Sequence, residues 1–312
     1  MRVEIFNSFS ADIRLADPQA FGNLTIFPLL GEDSGPPPYL LLEEALKEGW
    51  IEIKEIGRGI VTELLMTNRS TQDVFLIMGE ELLGAKQNRT VNVSMVVPGG
   101  GSMKVPVSCT EIGRWSEREW GLKMAKTSAH CSFSSLRQAL VDSITDSMDN
   151  DRGYHSDQLK IWDTISQSFS SMGIQSGTNA QSDLFETKKQ HLEEYLSHFH
   201  LVPGQIGLMG LVKDEMKGFD IFGWEDTMAK MFPKLLKSFL LEGIADSEVS
   251  KAKRREDPRS FLDELRCARI GRKEAPGRGE HLFFEGKRQR GMALVVDGKL
   301  FHLYTAPLSN QF

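Results

Sequence analysis

RTVNVSMVV (Arg89–Val97), PGGGS (Pro98–Ser102) and MKVPVSC (Met103–Cys109) decide how this chain is read. Val91, Val93, Met95 and Val97 alternate with Thr90, Asn92, Ser94 and Val96, the period of a strand with one apolar and one largely polar face. The Pro-Gly-Gly-Gly-Ser run is a turn. After it, Met103, Val105, Val107 and Cys109 again share a face. Centring a hairpin on Gly100 sets Val97 against Met103, Met95 against Val105, Val93 against Val107 and Val91 against Cys109, so both apolar faces coincide. The next pair outward is Arg89 with Glu111, a cation and a carboxylate with β-carbons about 5 Å apart at the end of the buried face. A two-residue slip would keep the faces and lose that pair.

Working outward, Glu80, Glu81, Lys86, Gln87, Asn88, Arg114 and Trp115 crowd around this proposed pair. Two readings are open. The cluster is either a structural ion-pair network closing the end of a sheet, or a polar pocket whose Arg and Lys donors hold an anionic ligand.

The rest of the chain frames the cluster. Strands are expected at Val3–Phe6 and Leu24–Leu30, then a helix in YLLLEEALKEGW after three prolines. IEIKEI (Ile51–Ile56) reads as a strand with its three isoleucines on one face, IVTELLMTN as another strand, and VFLIM (Val74–Met78) as a fully buried one. Helices are expected from Ser134 or Ser135 through SLRQALVDSITDSM, over Ser156–Phe169 with Leu159, Trp162 and Ile165 on one side, and through SDLFETKKQHLEEYLSHFH. IGLMGLV and GFDIF form a hairpin. A helix follows whose main part opens at Pro233, then a charged helical stretch from Asp246 to Lys273. HLFFEG, GMALVVDG and KLFHLYTA close the chain as strands. The order of strands, helices and strands predicts an α+β fold, with antiparallel, sandwich- or barrel-like sheets and a helical insertion packed against them. One domain over residues 1–312 is expected, with a β-rich part at 1–115, the insertion at 116–203 and a mixed part at 204–312.

Composition excludes several classes. With 312 residues, 40% hydrophobic and 26% charged, the chain can bury a substantial core. A net charge of −6 argues against general nucleic-acid binding. Its three cysteines (Cys109, Cys131, Cys267) do not make a disulfide framework, and no apolar run suits a signal peptide or a membrane span, so a soluble cytoplasmic protein is expected. His191, His198 and His200 lie near Glu193 and Glu194, but no metal-binding spacing is present. No metal or cofactor is therefore assigned, and a divalent cation has no motif behind it. Cys109 reads as a small core residue. Arg89 and Arg114 could lower its thiol pKa, but no histidine base lies nearby in sequence. KAKRREDPR is interleaved with acids and reads as a solvated helix face.

GEELLGAKQNR, VPVSCTEIGRW and GFDIFGWEDTMAKMFPKLLKSFLLEGI resemble the ADP-ribosylglycohydrolase and rhodanese–phosphatase superfamily-associated protein domain family, over most of residues 20–115 and 204–306. The positions matching its polar signature are Gly79, Glu80, Gly84, Lys86, Gln87, Asn88, Arg89, Ser108, Cys109, Glu111, Arg114 and Trp115. Thr110 stands where the family has a bulkier apolar residue, and is expected to face outward. The resemblance implies a link to NAD or ADP-ribose metabolism through the proteins the family accompanies, and no established reaction. On that basis an ADP-ribose-like nucleotide is the expected partner. Lys86, Arg89 and Arg114 would hold phosphate or ribose oxygens, Gln87 and Asn88 would orient the ligand, Cys109 would lie among these binding positions, and Trp115 would stack. Glu80, Glu81 or Glu111 would serve as general acid or base of a hydrolase, with Glu111 held ionised and Glu80 raised in pKa. The rivals are a non-catalytic sensing or interaction module and a purely structural cluster.

Overall fold

The computed structural model describes residues 12–57, 59–116, 121–245 and 257–308. It is an α+β fold of mostly antiparallel sheets. The chain divides into two compact units, one of residues up to Pro37 with Gln190–Glu274 and Gly279 onward, the other of Pro38–Lys189 with Ala275–Arg278.

The first unit is built on a nine-stranded sheet. Its path runs Arg14–Leu15, Leu24–Leu30, Gln205–Val212, Glu215–Phe222, Lys299–Pro307, Gln289–Val296, Glu280–Glu285 and Arg269–Glu274, with Gln19–Phe21 also paired to Leu24–Leu30. The expected hairpin of Gln205–Val212 and Glu215–Phe222 forms, and its two turn residues, Lys213 and Asp214, both adopt positive φ (50° and 62°), as a tight turn matching strand twist demands. One core of the sheet packs Phe219, Ile221, Leu282, Phe284 and Leu303 against Phe261, Leu262 and Leu265 of the Pro258–Arg266 helix. The Glu225–Ala245 helix packs on the Gln205–Val212 strand. Gly210 is needed there, because a β-carbon would sit 2.5 Å from the Phe239 ring.

Two readings are corrected in this unit. Pro233 lies inside the Glu225–Ala245 helix and does not open it, because Asp33 Oδ1 accepts the Glu225 N–H at 3.1 Å and starts the helix earlier. The charged stretch is not one helix. Asp257 caps a short helix over Pro258–Arg266, and Arg269–Glu274 is an exposed edge strand whose charges suit an edge. Residues 246–256 of that stretch, and the Val3–Phe6 strand, fall outside the described residues.

The second unit holds a three-stranded sheet (Met95–Val97, Asp73–Leu76, Tyr39–Leu41) and a six-stranded one. The larger runs Met124–Cys131, Glu80–Gly84, Arg89–Val91, Ser102–Cys109, Glu63–Asn68, Ile51–Glu55. The Met124–Cys131 strand falls inside the stretch read as helical. The predicted hairpin does not form. Met95–Val97 pairs with Val74–Leu76, and Ser102–Pro106 pairs with Glu63–Thr67. Only Val107–Cys109 meets Arg89–Val91, with Val107 opposite Val91 and Cys109 opposite Arg89, a two-residue slip from the expected register.

The reason lies in what captures the glycine turn. Gly100 N–H donates to Ser70 O and Asn68 N–H to Gly101 O, while the Asn68 amide donates to Gln72 O, Val97 O and Pro98 O. The turn is thus bound to another turn, and the flanking strands separate into different sheets.

Thr90, Asn92 and Ser94, expected on a solvated face, are buried. Their surroundings include residues of the Gln158–Met172 and Gln181–Thr187 helices and of the segments before them. Gln158 reads the Cys109 backbone at both N–H and C=O (2.8 and 2.9 Å), Asn92 donates to Tyr154 O, and Gln181 donates to Ser132 Oγ, which in turn contacts Thr90 Oγ1. The 158–172 helix is capped by Asp157 and buries Ile161, Ile165 and Phe169 at i, i+4, i+8, each worth about 1.5–3 kcal/mol. Leu159, expected on the buried side, is 69% exposed. The third expected helix breaks at Lys188 into Gln181–Thr187 and Lys189–Leu196.

Candidate functional site

Strand register sorts the polar cluster onto two faces of the six-stranded sheet. Arg89 pairs with Leu82 and Cys109, so these three share a face with the apolar core of Leu82, Val91 and Val107. Glu81 pairs with Thr90, and Thr90 with Ser108, on the opposite face, which the helices cover.

On the core face, the Arg89 guanidinium is fully enclosed. Nη2 lies 3.4 Å from Glu55 Oε1, and Nη1 donates to Gln87 Oε1 (3.1 Å) and Asn88 O (3.4 Å). Arg89 therefore pairs with Glu55, not with Glu111. Two atoms of the pair, Arg89 Nε and Glu55 Oε2, are buried without a hydrogen-bond partner among the described residues. Burial raises the Glu55 pKa and the Arg89 charge opposes that rise.

Glu55 carried a signal in the sequence. Ile51, Ile53 and Glu55 share the buried face of their strand, and Ile56 falls out of phase, so an acid occupies a core position. An enclosed carboxylate at such a position calls for a buried cation.

At the strand ends, Glu111 and Arg114 form a bidentate pair. Arg114 Nε donates to Oε1 (2.8 Å) and Nη2 to Oε2 (2.6 Å), and Asn88 N–H also reaches Oε2 (3.1 Å). Arg114 Nη1 donates to Ala85 O and Ser116 O, both at 2.7 Å, and Nη2 also reaches Gly84 O at 3.2 Å. All five guanidinium donors are thereby used within the protein. They hold a tight loop in which Gly84 (φ 137°) and Ala85 (φ 42°) are both in positive-φ conformations. For Ala85 that geometry costs about 1–2 kcal/mol. Gln87 Nε2 donates to Glu111 O, and Glu80 Oε2 accepts the Ile77 N–H.

On the helix face, Glu81 accepts from Thr110 Oγ1 (2.8 Å) and Ser128 Oγ (2.7 Å), with His130 Nε2 3.5 Å away. His130 is stacked on Phe185. Burial pushes the Glu81 pKa up to about 7, against the hydroxyl hydrogen bonds that lower it. Glu81 thus carries a strongly raised carboxyl, a shift the sequence reading did not assign to it. Thr110, expected to face outward, is buried and is one of these donors. Ser128, His130 and Gln181 were not singled out in the sequence. They come from a strand and a helix whose packing no local pattern reveals.

The Cys109 thiol donates to Glu111 O at 3.1 Å, and burial pushes its pKa up, so the arginines do not activate it. His198 stacks on Phe21, and among the described residues no group of three or more His, Cys, Asp or Glu side chains could hold a metal ion. No helix among them is long and apolar enough to cross a membrane.

Two residues bring the cluster to the surface. Trp115 is 49% exposed, with Lys86 Nζ 5.1 Å and the Arg89 guanidinium carbon 6.0 Å from its ring centroid. Gly59 lies against the same indole, where a β-carbon would be 3.2 Å from it. The structure therefore brings Lys86, Gln87, Arg89 and Trp115 together, with Asn88, Glu111 and Arg114 in the adjoining clamp and Glu81 behind the sheet.

No curated protein and no solved structure matches the chain. The model of the ARG and Rhodanese-Phosphatase-superfamily-associated Protein domain matches residues 12–306. The chain belongs to that family.

Proposed function

We propose that this protein binds an ADP-ribose-type nucleotide where Trp115 and Lys86 meet above Arg89. The observation that carries the reading is the half-exposed indole with an ammonium on its ring and a wholly buried, incompletely paired guanidinium behind it. An exposed aromatic face is a stacking platform for a base, worth about 1–3 kcal/mol. Lys86 supplies a cation for phosphate. The family's association with ADP-ribosylglycohydrolases, as its name is read, supports this ligand class. Arg114 keeps the loop in shape and offers no spare donor. Calorimetric titration of ADP-ribose and NAD tests the reading. Trp115→Ala and Lys86→Ala should each weaken binding about tenfold or more. Absence of binding to the wild type, or affinities unchanged in both variants, ends it.

A second reading, proton transfer by Glu81, is favoured by its titration near neutrality beside two hydroxyls and an imidazole. It places the reacting bond on the helix-covered face, apart from Trp115, and predicts hydrolysis of an ADP-ribosyl bond that is lost in Glu81→Gln while nucleotide binding at Trp115 persists.

A further inference from the structure

Resting on the binding reading, we infer that Arg89 Nε and Glu55 Oε2 form a subsite that reads a sugar hydroxyl of the ligand, while its phosphates stay outward at Lys86. The pair is joined by one contact of 3.4 Å, at the outer limit of a hydrogen bond, and does not close into a two-point fork. That leaves one donor, Nε–H, and one acceptor, Oε2, both enclosed and both without a hydrogen-bond partner among the described residues. Neither residue is short of companions elsewhere: the two Nη atoms of Arg89 are engaged by Gln87, Asn88 and Glu55, and a backbone hydrogen bond from Lys86 also acts on the Glu55 carboxyl. The two orphans are specific to this corner.

The chemistry of the missing group follows from donor and acceptor counting. A phosphate or carboxylate oxygen could accept from Nε–H, but it would set a second anion against the Glu55 carboxylate. A carbonyl could accept and could not donate to Oε2. An ammonium could donate and could not accept from Nε–H. A hydroxyl does both at once, accepting from Arg89 and donating to Glu55. Among the parts of an ADP-ribose-type nucleotide, the terminal ribose, which ADP lacks, is the sugar assigned to this corner, the adenosine ribose staying with the base at the indole. A buried polar pair left without it is penalised, which is how a site built for a hydroxyl discriminates against a ligand lacking one.

Access runs past Trp115. The guanidinium has no solvent exposure, and the indole stands 6.0 Å from it with nearly half its own surface in solvent. The proposed entry is a rotation of that side chain away from the guanidinium. The same indole can then stack on the ligand.

The test compares ADP-ribose, ADP and inorganic pyrophosphate on the wild-type full chain by calorimetry, and repeats the series on Glu55→Gln. ADP-ribose should bind roughly tenfold or more tightly than ADP, with pyrophosphate weaker still, and Glu55→Gln should shrink the ADP-ribose preference to within about threefold. A stability effect of the substitution would weaken all three ligands alike and leave the ratio unchanged. Equal affinities of ADP-ribose and ADP for the wild type would overturn the hydroxyl subsite. The orphan pair is then filled by an ordered water only, and the nucleotide-binding reading survives. A preference that persists in folded Glu55→Gln overturns it too. If no nucleotide binds, both readings fall. The wild-type series decides even if Glu55→Gln does not fold.

Discussion

Glu55 and Glu81 are both enclosed within one unit, on opposite faces of the same sheet, and the protein treats them differently. Glu55 has a guanidinium beside it, held at one imperfect contact with atoms left over. Glu81 has hydroxyl donors at good distances and an imidazole at the edge of reach. Hydroxyls satisfy lone pairs without neutralising a charge, so desolvation prevails and Glu81 titrates near 7. A cation opposes desolvation at Glu55, where the pKa still rises. A well-formed hydrogen-bond shell therefore marks the carboxyl that changes charge, and the poorly closed ion pair marks the one placed to meet a ligand.

The largest effect that could break this contrast is at Arg89. Arg89→Met leaves the Glu55 carboxylate buried without its cation and should cost about 3–5 kcal/mol in urea unfolding at pH 7.5. Adding Glu55→Leu should recover most of that loss, because a matched apolar pair replaces an ion pair at little cost. Failure of the double variant to recover would mean that Gln87 and Asn88, not Glu55, are the partners that matter.

Next in size is the pH dependence of Glu81. Its folded pKa lies above the ordinary 4.5, so the folded state keeps a proton that the unfolded chain has released. Its contribution is fully present below pH 4.5 and is lost as pH rises to about 7, a fall of roughly 3 kcal/mol. Glu55 slopes in the same direction. Unfolding free energies at pH 5 and 7.5 should therefore converge in Glu81→Gln, leaving the residual slope of Glu55. An unchanged slope in that variant would deny Glu81 its near-neutral titration.

Ser128→Ala sharpens the same point with a smaller effect. Removing one donor to Glu81 Oε2 should cost about 1 kcal/mol and push the carboxyl pKa further up, read by the pH midpoint of the stability change. The smallest stability effect is expected at Trp115. Its half-exposed side chain should cost about 0.5 kcal/mol or less when truncated to alanine, while ligand affinity drops. A large loss of stability there would make Trp115 a structural plug over Arg89.

Much of this was legible in the chain. The strands at Leu24–Leu30, Ile51–Glu55 and the Gln205–Phe222 hairpin follow from alternation and turn residues, and the polar residues of the Gly79–Trp115 stretch are indeed concentrated in one region. What was misread has definite causes. Thr90, Asn92 and Thr110 look solvent-facing because polar residues usually are, yet all three are buried, with Asn92 bonded to Tyr154 O, Thr90 to Ser132 Oγ and Thr110 to the Glu81 carboxylate. The Gly100 hairpin looked closed because both arms carry the right faces, yet Asn68 and Ser70 hold its turn and send the arms to different sheets.

Alternation with period two is written in the residues themselves, so the sequence alone determined which side chains share a face and that charged groups gather near the ends of these strands. Partner and register are not written there, because a shift of two residues preserves every face at no local cost. The tertiary structure decided them through contacts between distant segments. It placed Cys109 opposite Arg89, gave Arg89 to Glu55 and Glu111 to Arg114, and set Glu81 behind the sheet, where neutral donors leave it to titrate near 7.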